Sequence, residues 1–549
     1  MQHTRLEKGE KHVAARDTCI SDPLRKPGRK KCKEEKEKHD SPVHGRNTQM
    51  PCRDFPHFLR ILPRGLERFN EVDYEALQPM IRRTCFPLTR SIRPHCVLIL
   101  AFGASLSACL TPAHAPAKAP GAGEEMPYES MSTAIARGRP QDALESYEAA
   151  RAEKPQSIEA RILHARLLMI SGRLEEARAE FDLVLAAEPR NTDALYSLSV
   201  IAGLEGRAEE QAALLRAVVE IDNAHADALA ALGERAMENG DDAAAGGLFD
   251  RALAREPSHL AALLGKGALF ARAKDWKSAE GFFDKAVSVQ PDYPFAYIDR
   301  GRARQALDDT IGALQDFSRA IALSPEYPWT YIDRAKLNLR RAQRQEAIAD
   351  LSTAITLDPG QFESYALRAG ARTSAGDTDG ALADWERVVS LQPRYWYAYA
   401  PLAALHWTRG EWAEARAALL RAYEFQEEEH SFALCAALCS IRLGNKRDVA
   451  VILQTVMDKA PGESWYREVA RFLLDPKMET ALLSRIDQER SATLKARILF
   501  YVAVAYLGGP LDRAGRTYLV QIAGRGSPLA IETQLADIEL LQAGTLKGR

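Results

Sequence analysis

The stretch PDYPFAYIDRG at residues 291–301 returns as PEYPWTYIDRA at residues 325–335. The two copies lie 34 residues apart, and the same period extends in both directions along the chain. One row of this period is proline, at Pro155, Pro189, Pro257, Pro291, Pro325, Pro359, Pro393 and Pro461, with Asn223 and Glu427 at the two remaining steps. A period held without an insertion over this length predicts a tandem array rather than one globular core.

Three further rows repeat with the same period. Alanine lies twelve positions before eight steps of this row, at Ala143, Ala177, Ala245, Ala279, Ala313, Ala347, Ala381 and, before Glu427, Ala415. A large apolar residue follows four positions later, at Tyr147, Phe181, Leu215, Phe249, Phe283, Phe317, Leu351, Trp385, Leu419 and Leu453. The third row is small, at Ala165, Ser199, Gly233, Gly267, Gly301, Ala335, Ala369, Ala403 and Ala437. Small residues facing large ones predict two closely packed helices per unit, the second of which ends at the proline.

These rows resemble the tetratricopeptide repeat (TPR), a 34-residue helix–turn–helix unit. The resemblance covers residues 124–463, about ten units, and implies an all-α, right-handed superhelical solenoid. It also implies that the first helix of each unit lines a concave groove that receives protein or peptide partners. Beyond Pro461 the register blurs, and residues 464–549 are predicted to form degenerate helical hairpins that cap the solenoid.

Two charged rows follow the repeats and are separated by 16 residues. They pair Arg300 with Asp316, Arg334 with Asp350, and Arg368 with Asp384. Where the first row holds leucine, the second is apolar as well: Leu198 with Leu214, Leu232 with Leu248, and Leu402 with Ala418. His164 is matched by Glu180, and Lys266 with Phe282 is the exception. This covariation predicts an internal ion pair between the two helices of a unit.

One face of the predicted first helices combines aromatic, aliphatic and basic residues. The candidates for contact with a partner are Phe295, Ile298, Arg302, Gln305, Trp329, Ile332, Lys336, Arg340, Tyr397 and Trp407. Aromatic side chains beside Arg and Lys are typical of protein interfaces. The alternative is that these aromatics pack between units. The Lys/Asn clamp of chaperone-binding relatives is not matched, because its positions hold Ile298 with Arg302 and Ile332 with Lys336.

Motifs of known catalytic sites are absent from the sequence. It contains no HExxH, GxxxxGK[ST], GxSxG or CxxC. Cys435 and Cys439 lie four residues apart on a predicted helix, where they are predicted to be core residues rather than metal ligands. We therefore expect no enzymatic activity, no metal and no cofactor.

The net charge of −2 conceals an uneven distribution. Residues 1–109 hold 21 Lys and Arg against 13 Asp and Glu, whereas the other 440 residues hold 52 against 62. A mildly acidic array lacks the basic face that general nucleic-acid binding requires. We therefore expect no nucleic-acid partner.

Residues 80–108 have the layout of a secretory signal peptide, with four arginines before an apolar run from Cys96 to Ala108. The run is shorter than the ~20 residues that a membrane-spanning helix needs. It ends in LSAC, which resembles a bacterial lipobox and implies cleavage before Cys109 and a lipid on that cysteine. The following residues, 109–127, are rich in Ala, Pro and Gly and are predicted to form a tether.

The segment before this signal, residues 1–79, is polar, is interrupted by proline and is predicted to be disordered. A signal peptide normally begins near the start of translation, so Met80 is the expected start and residues 1–79 are expected not to be translated. The alternative is that residues 1–109 form a genuine cytosolic extension.

An anchor, a tether and a repeat array together predict a lipoprotein scaffold of the bacterial cell envelope. Its expected role is to mediate protein–protein interactions, in envelope assembly or in pilus or secretion machinery. The alternative is a ligand-binding or transporter-associated component with a pocket inside the superhelix. A third class is an enzyme with a composite site in residues 464–549.

Overall fold

The structure is a computed structural model that describes residues 133–135, 137–151, 157–527 and 530–543. The predicted extension (1–79), signal peptide (80–108) and tether (109–127), with Cys109, lie outside the described residues. Within the described ranges the chain forms α-helices and short 3-10 turns, and no β-strand. The all-α prediction is therefore confirmed.

Paired helices follow one another along the chain. The first is α1 (Pro140–Arg151), the second helix of unit 1. Units 2–5 are α2 (Ile158–Ile170) with α3 (Leu174–Ala187), α4 (Thr192–Leu204) with α5 (Ala208–Ile221), α6 (Ala226–Glu238) with α7 (Asp242–Arg255), and α8 (Leu260–Arg272) with α9 (Trp276–Val289). Units 6–8 are α10 (Pro294–Ala306) with α11 (Thr310–Leu323), α12 (Pro328–Arg340) with α13 (Arg344–Leu357), and α14 (Phe362–Ala375) with α15 (Thr378–Leu391). Units 9 and 10 are α16 (Tyr399–Arg409) with α17 (Trp412–Phe425), and α18 (Ser431–Arg442) with α19 (Lys446–Lys459).

The sequence specifies where these helices begin. The second helices of several units start after an aspartate whose carboxylate accepts a hydrogen bond from the backbone N–H three residues on, as Asp241 and Asp309 do. The first helices of units 6 and 7 start at Pro294 and Pro328, whose fixed φ suits the first helical position. Local signals repeated every 34 residues therefore set the helix boundaries.

Close contact between the two helices of a unit explains the small row. A Cβ atom on Gly233 would lie 2.6 Å from Cε1 of Phe249, and one on Gly301 would lie 2.8 Å from Cε1 of Phe317. Phe249 and Phe317 are fully buried. The aromatic ring thus occupies the space that a side chain in the small row would need, which is why the two rows occur together.

The tail beyond residue 463, which was predicted to form capping hairpins, is helical in the described residues. It contains α20 (Trp465–Leu474), α21 (Glu479–Gln488), α22 (Ala492–Tyr506), α23 (Asp512–Ile522) and α24 (Ile531–Gln542). The last helix, α24, packs against α16 and α18, the first helices of units 9 and 10. None of the described helices is both long and apolar enough to cross a membrane.

Candidate partner-binding surface

The first helices of neighbouring units share one surface, which we call the first-helix face. It is the face that carries Phe295, Asp299 and Arg302 in unit 6 and the residues at the same repeat positions in other units. Polar contacts cross this face from one unit to the next. Arg302 Nε donates to Asp333 Oδ2 at 2.8 Å between units 6 and 7, and an oxygen of Asp227 lies 3.1 Å from His259 Nε2 between units 4 and 5.

Aromatic rings line the start of this face in the middle of the array. The ring of Phe295 lies 5.3 Å from that of Tyr327 in the next unit, and 5.5 Å from that of Tyr293. Farther along, Tyr395 lies 5.0 Å from Phe362 of the preceding unit and 5.7 Å from Tyr397. These rings are half-buried, so their edges stay accessible while their bodies pack between units.

Charges on the first-helix face are partly shielded from water. Burial, with a contribution from Asp333, raises the pKa of Asp299 to about 6, although Arg302 opposes the rise. Burial by itself would lower the pKa of Arg302, but the carboxylates of Asp333 and Asp299 outweigh it and raise that pKa. The guanidinium of Arg302, between Asp299 and Asp333, therefore links units 6 and 7 within the stretch of aromatic rings on the first-helix face.

A second partly buried acid lies on the same face in unit 4. Burial and the nearby Glu238 raise the pKa of Glu234 to about 7, against a smaller opposing effect of His259. The hydrogen bond between His259 and Asp227 outweighs burial, so it raises the pKa of His259 and lowers that of Asp227. Ionisation of Glu234 is therefore unfavourable, whereas the charged forms of the neighbouring His259 and Asp227 stabilise each other.

The predicted contact residues divide into accessible and buried groups. Phe295, Arg302, Gln305, Trp329, Lys336 and Tyr397 are half-buried, and Arg340 is exposed. Ile298 and Ile332 are only 2% and 0% exposed because they pack between units. The structure therefore corrects the prediction for these two isoleucines, whose side chains lie in the core rather than on the face.

Trp407 requires the same correction for a different reason. It is 0% exposed because α24 covers it, and its indole N–H donates to Glu539 Oε1 at 2.9 Å. Its position in the repeat is on the first-helix face, as the sequence predicts, but that part of the face is occupied by the chain itself.

The predicted ion pairs are present in units 6, 7 and 8. In each pair the arginine Nε and Nη2 donate to the two carboxylate oxygens of one aspartate, at 2.6–3.0 Å. His164 Nδ1 lies 3.1 Å from Glu180 in unit 2. Lys266, the exception, binds Asp250 of the preceding unit at 2.8 Å.

The repeated YIDR motif combines structural and surface residues. Tyr297 donates its O–H to the carbonyl of Pro291 at 3.0 Å, and the Arg300 guanidinium lies 5.3 Å from the centre of the Tyr297 ring. Arg300 also reaches Asp284 of the preceding unit at 2.9 Å. Of the four residues of the motif, only the aspartate, Asp299 in unit 6, lies on the first-helix face.

A buried polar cluster joins α18, α22 and α24, and the sequence did not predict it. Ser431 Oγ donates to Glu532 Oε1 at 2.6 Å, and Tyr501 O–H donates to the same oxygen at 3.0 Å. Ser431 and Glu532 are 0% and 1% exposed, so the cluster is shielded from water. Cys435 and Cys439 are both buried, and burial raises the pKa of Cys439 to about 12.

Family models described as tetratricopeptide repeat match residues 134–199, 230–297 and 367–429. No curated protein matches the chain. Among solved structures, one from a functional characterization of Pseudomonas aeruginosa PilF has 20% identity and a TM-score of 0.35, covering 37% of this chain and 92% of that one. A tetratricopeptide repeat protein from Parabacteroides merdae has 19% identity and a TM-score of 0.34, covering 44% and 96%. YrrB, described as a TPR protein with an unusual peptide-binding site, has 17% identity and a TM-score of 0.30, covering 34% and 95%.

Proposed function

We propose that this chain, whose repeats match tetratricopeptide-repeat family models, is a lipid-anchored scaffold of the bacterial cell envelope that binds protein partners on its first-helix face. Tetratricopeptide repeats imply a protein–protein interaction scaffold. The finer proposal combines the repeat array with the lipobox-like end of the apolar run at Cys109. We infer a role in assembling envelope, pilus or secretion machinery, because an anchored array holds partners near a membrane.

The proposed binding of protein partners rests on the accessible side chains of the first-helix face in units 6–8. Phe295 and Trp329 present half-buried rings, and Lys336 and the exposed Arg340 follow Trp329 on the same helix. Rigid aromatic side chains beside basic ones can anchor a partner at a low cost in side-chain entropy. Because Arg302 is already bonded to Asp333, Lys336 and Arg340 are the better candidates for the partner's acidic groups.

Crosslinking in cells tests this surface. The double variant Lys336→Glu with Arg340→Glu reverses two charges on the first-helix face and should reduce the recovery of crosslinked partners. Arg319→Glu is the matched control, because Arg319 is exposed on the second helix α11 of unit 6. Equal recovery with wild type, double variant and control would contradict the proposed surface.

The anchor is tested separately through Cys109. Cys109→Ala should abolish labelling with a radioactive fatty acid and release the protein from membranes. A single acyl chain gives only marginal membrane binding, so stable fractionation of the wild type requires several chains. Cys85→Ala is the control, because Cys85 lies inside the predicted signal peptide and should not change labelling. Labelling that survives Cys109→Ala would refute the anchor.

The ligand-binding alternative makes a different prediction. A component that handles a small molecule should show an increase in melting temperature with that molecule, because only binding to the folded state stabilises it. A scaffold should show no such increase with metabolites. A large shift with one metabolite, together with no crosslinked partner, would favour the alternative.

A further inference from the structure

The last helix, α24, occupies the first-helix face of units 9 and 10. Glu539 accepts hydrogen bonds from the indole N–H of Trp407 at 2.9 Å and from Arg442 Nη2 at 2.8 Å. Three residues further on, the Gln542 side chain donates to the carbonyl of Thr408 at 2.6 Å. This end of α24 is therefore bound by groups from α16 and α18, the first helices of two successive units.

Seven residues earlier, Glu532 fixes the other end of the same helix. Its Oε1 atom accepts hydrogen bonds from Ser431 Oγ at 2.6 Å, from Tyr501 O–H at 3.0 Å and from Arg497 Nε at 3.2 Å. The apolar side chains between and beside the two acids are buried against the array: Ile531, Leu535, Ala536 and Leu540. Acids seven residues apart lie on one face of a helix, so α24 presents one apolar stripe with an acid at each end.

We propose that this seat, formed by Trp407, Ser431, Arg442, Arg497 and Tyr501, is a binding site for an acidic amphipathic helix of a partner protein, and that α24 is a resident occupant which the partner helix replaces. The inference rests on the proposed function, since it assigns a partner chemistry to one part of the first-helix face. An amphipathic helix in a groove is an established mode of recognition. What is specific to this chain is the requirement for two carboxylates seven residues apart.

The charges of the seat support this choice of partner. Two arginines, Arg442 and Arg497, face the two acids of α24, and the facing acid Glu429 is itself bonded to Arg497 at 2.9 Å. When α24 leaves, Arg442 loses Glu539, and Arg497 loses Glu532 but keeps Glu429. A helix with the same acid spacing restores both pairs, whereas a basic or neutral helix leaves Arg442 without its carboxylate partner.

The resident helix does not satisfy its own groups fully. The second carboxylate oxygen of Glu532, Oε2, is buried and makes no hydrogen bond within the described residues. A buried acceptor without a donor weakens the seated state relative to the solvated one. The unsatisfied oxygen therefore lowers the cost of releasing α24 from the seat.

Binding of a synthetic peptide to the full chain tests the exchange. The probe is a fluorescent peptide with the sequence of residues 530–543, and its control carries Gln at both positions that correspond to Glu532 and Glu539. The full chain with Glu532→Gln and Glu539→Gln holds α24 less tightly and should bind the probe at least about tenfold more tightly than the wild type does. Adding Arg442→Gln to that chain should reverse the gain, and the control peptide should bind neither.

Hydrogen exchange of the unmodified chain provides an independent measurement. The backbone amides of α24 should exchange faster than those of α17, because α24 leaves its seat while the array stays folded. Three results would show that α24 is an integral element and would overturn the proposal. They are equal exchange rates in α24 and α17, no binding of the probe to the double variant, and a loss of helical circular dichroism in the double variant. A dimer that forms with rising concentration of the wild type would identify a second copy as the occupant, which also overturns it. Partner crosslinks that depend on Lys336 and Arg340 would leave the proposed function standing in each case.

Discussion

Arg334 and Asp350 form a two-pronged hydrogen bond between the helices of unit 7. Arg334 Nε donates to Asp350 Oδ2 at 3.0 Å, and Arg334 Nη2 donates to Oδ1 at 2.6 Å. The third nitrogen, Nη1, donates to Ser318 Oγ of the preceding unit at 3.1 Å. Asp350 is 7% exposed, so the pair is shielded from water and ties three helices together.

We expect Asp350→Ala to lower the free energy of unfolding by about 1–3 kcal/mol, because it leaves Arg334 partly buried without a carboxylate. The double variant Arg334→Leu with Asp350→Leu should cost less than the sum of the single variants. The chain already places leucine in both rows at 198 with 214 and at 232 with 248. Urea unfolding followed by circular dichroism measures the wild type, Asp350→Ala, the single variants Arg334→Leu and Asp350→Leu, and the double variant.

One outcome of the double-variant comparison would contradict the predicted coupling. If the cost of the double variant equals the sum of the single costs, Arg334 and Asp350 are not energetically coupled. The hydrogen bonds would then contribute nothing beyond packing, and the covariation between repeats would need another cause.

Units 6 and 8 carry a second arginine on the same aspartate. Arg304 Nη1 donates to Asp316 at 2.8 Å, and Arg372 Nη1 donates to Asp384 at 2.8 Å. In unit 7 the equivalent residue is Asn338. Asp316→Ala removes three hydrogen bonds from two arginines, although Arg300 keeps Asp284 at 2.9 Å and Arg304 keeps Glu280 at 3.1 Å. We therefore expect Asp316→Ala to cost about 2–5 kcal/mol and more than Asp350→Ala, which removes two hydrogen bonds. Equal urea midpoints for the two variants would show that the second arginine is compensated elsewhere.

Repetition explains why so much of the array could be predicted from the sequence. The spacing of 34 residues places the first helices at residues 158, 192 and 226, because each unit contains its own caps, small row and large row. The Arg–Asp pairs were predictable because both partners belong to one unit and vary together between units. Contacts between neighbouring units were missed because Arg302 with Asp333 and Asp227 with His259 have different spacings, 31 and 32 residues, and occupy different repeat positions.

The position of α24 could not be predicted in this way. Trp407 and Glu539 are 132 residues apart, and their contact has no counterpart in other units. A contact that is not repeated leaves no row to compare, so the sequence alone predicts an open groove residue at Trp407. The one available signal was the seven-residue spacing of Glu532 and Glu539 within an amphipathic helical segment.

The turn between the helices of unit 7 holds strain that a substitution can remove. Ala342 has a φ of 57°, in the left-handed region, where the equivalent residue in the next unit is Gly376 with a φ of 82°. We expect Ala342→Gly to raise stability by about 0.5–1 kcal/mol, since relief of strain exceeds the added entropy of the unfolded chain. Thermal unfolding measures the change.

The reverse substitution is the matched control for Ala342→Gly. A Cβ atom on Gly376 would meet nothing within 4 Å, so Gly376→Ala changes backbone energy without a steric clash. It should lower stability by about 1 kcal/mol. A gain from both substitutions would mean that the turn conformation is not the source of the strain.

Glu234 should make stability depend on pH between the acid range and neutrality. Its pKa is raised to about 7, so the folded chain holds this proton more tightly than the unfolded chain does, and the resulting stability is lost as the pH rises through about 7. Glu234→Gln should therefore raise the free energy of unfolding by on the order of 1–2 kcal/mol at pH 8 and change it little near pH 5. Urea unfolding at both pH values measures this, with Glu209→Gln on the exposed side of α5 as the control. An equal effect of Glu234→Gln at the two pH values would show that the carboxyl group is not desolvated.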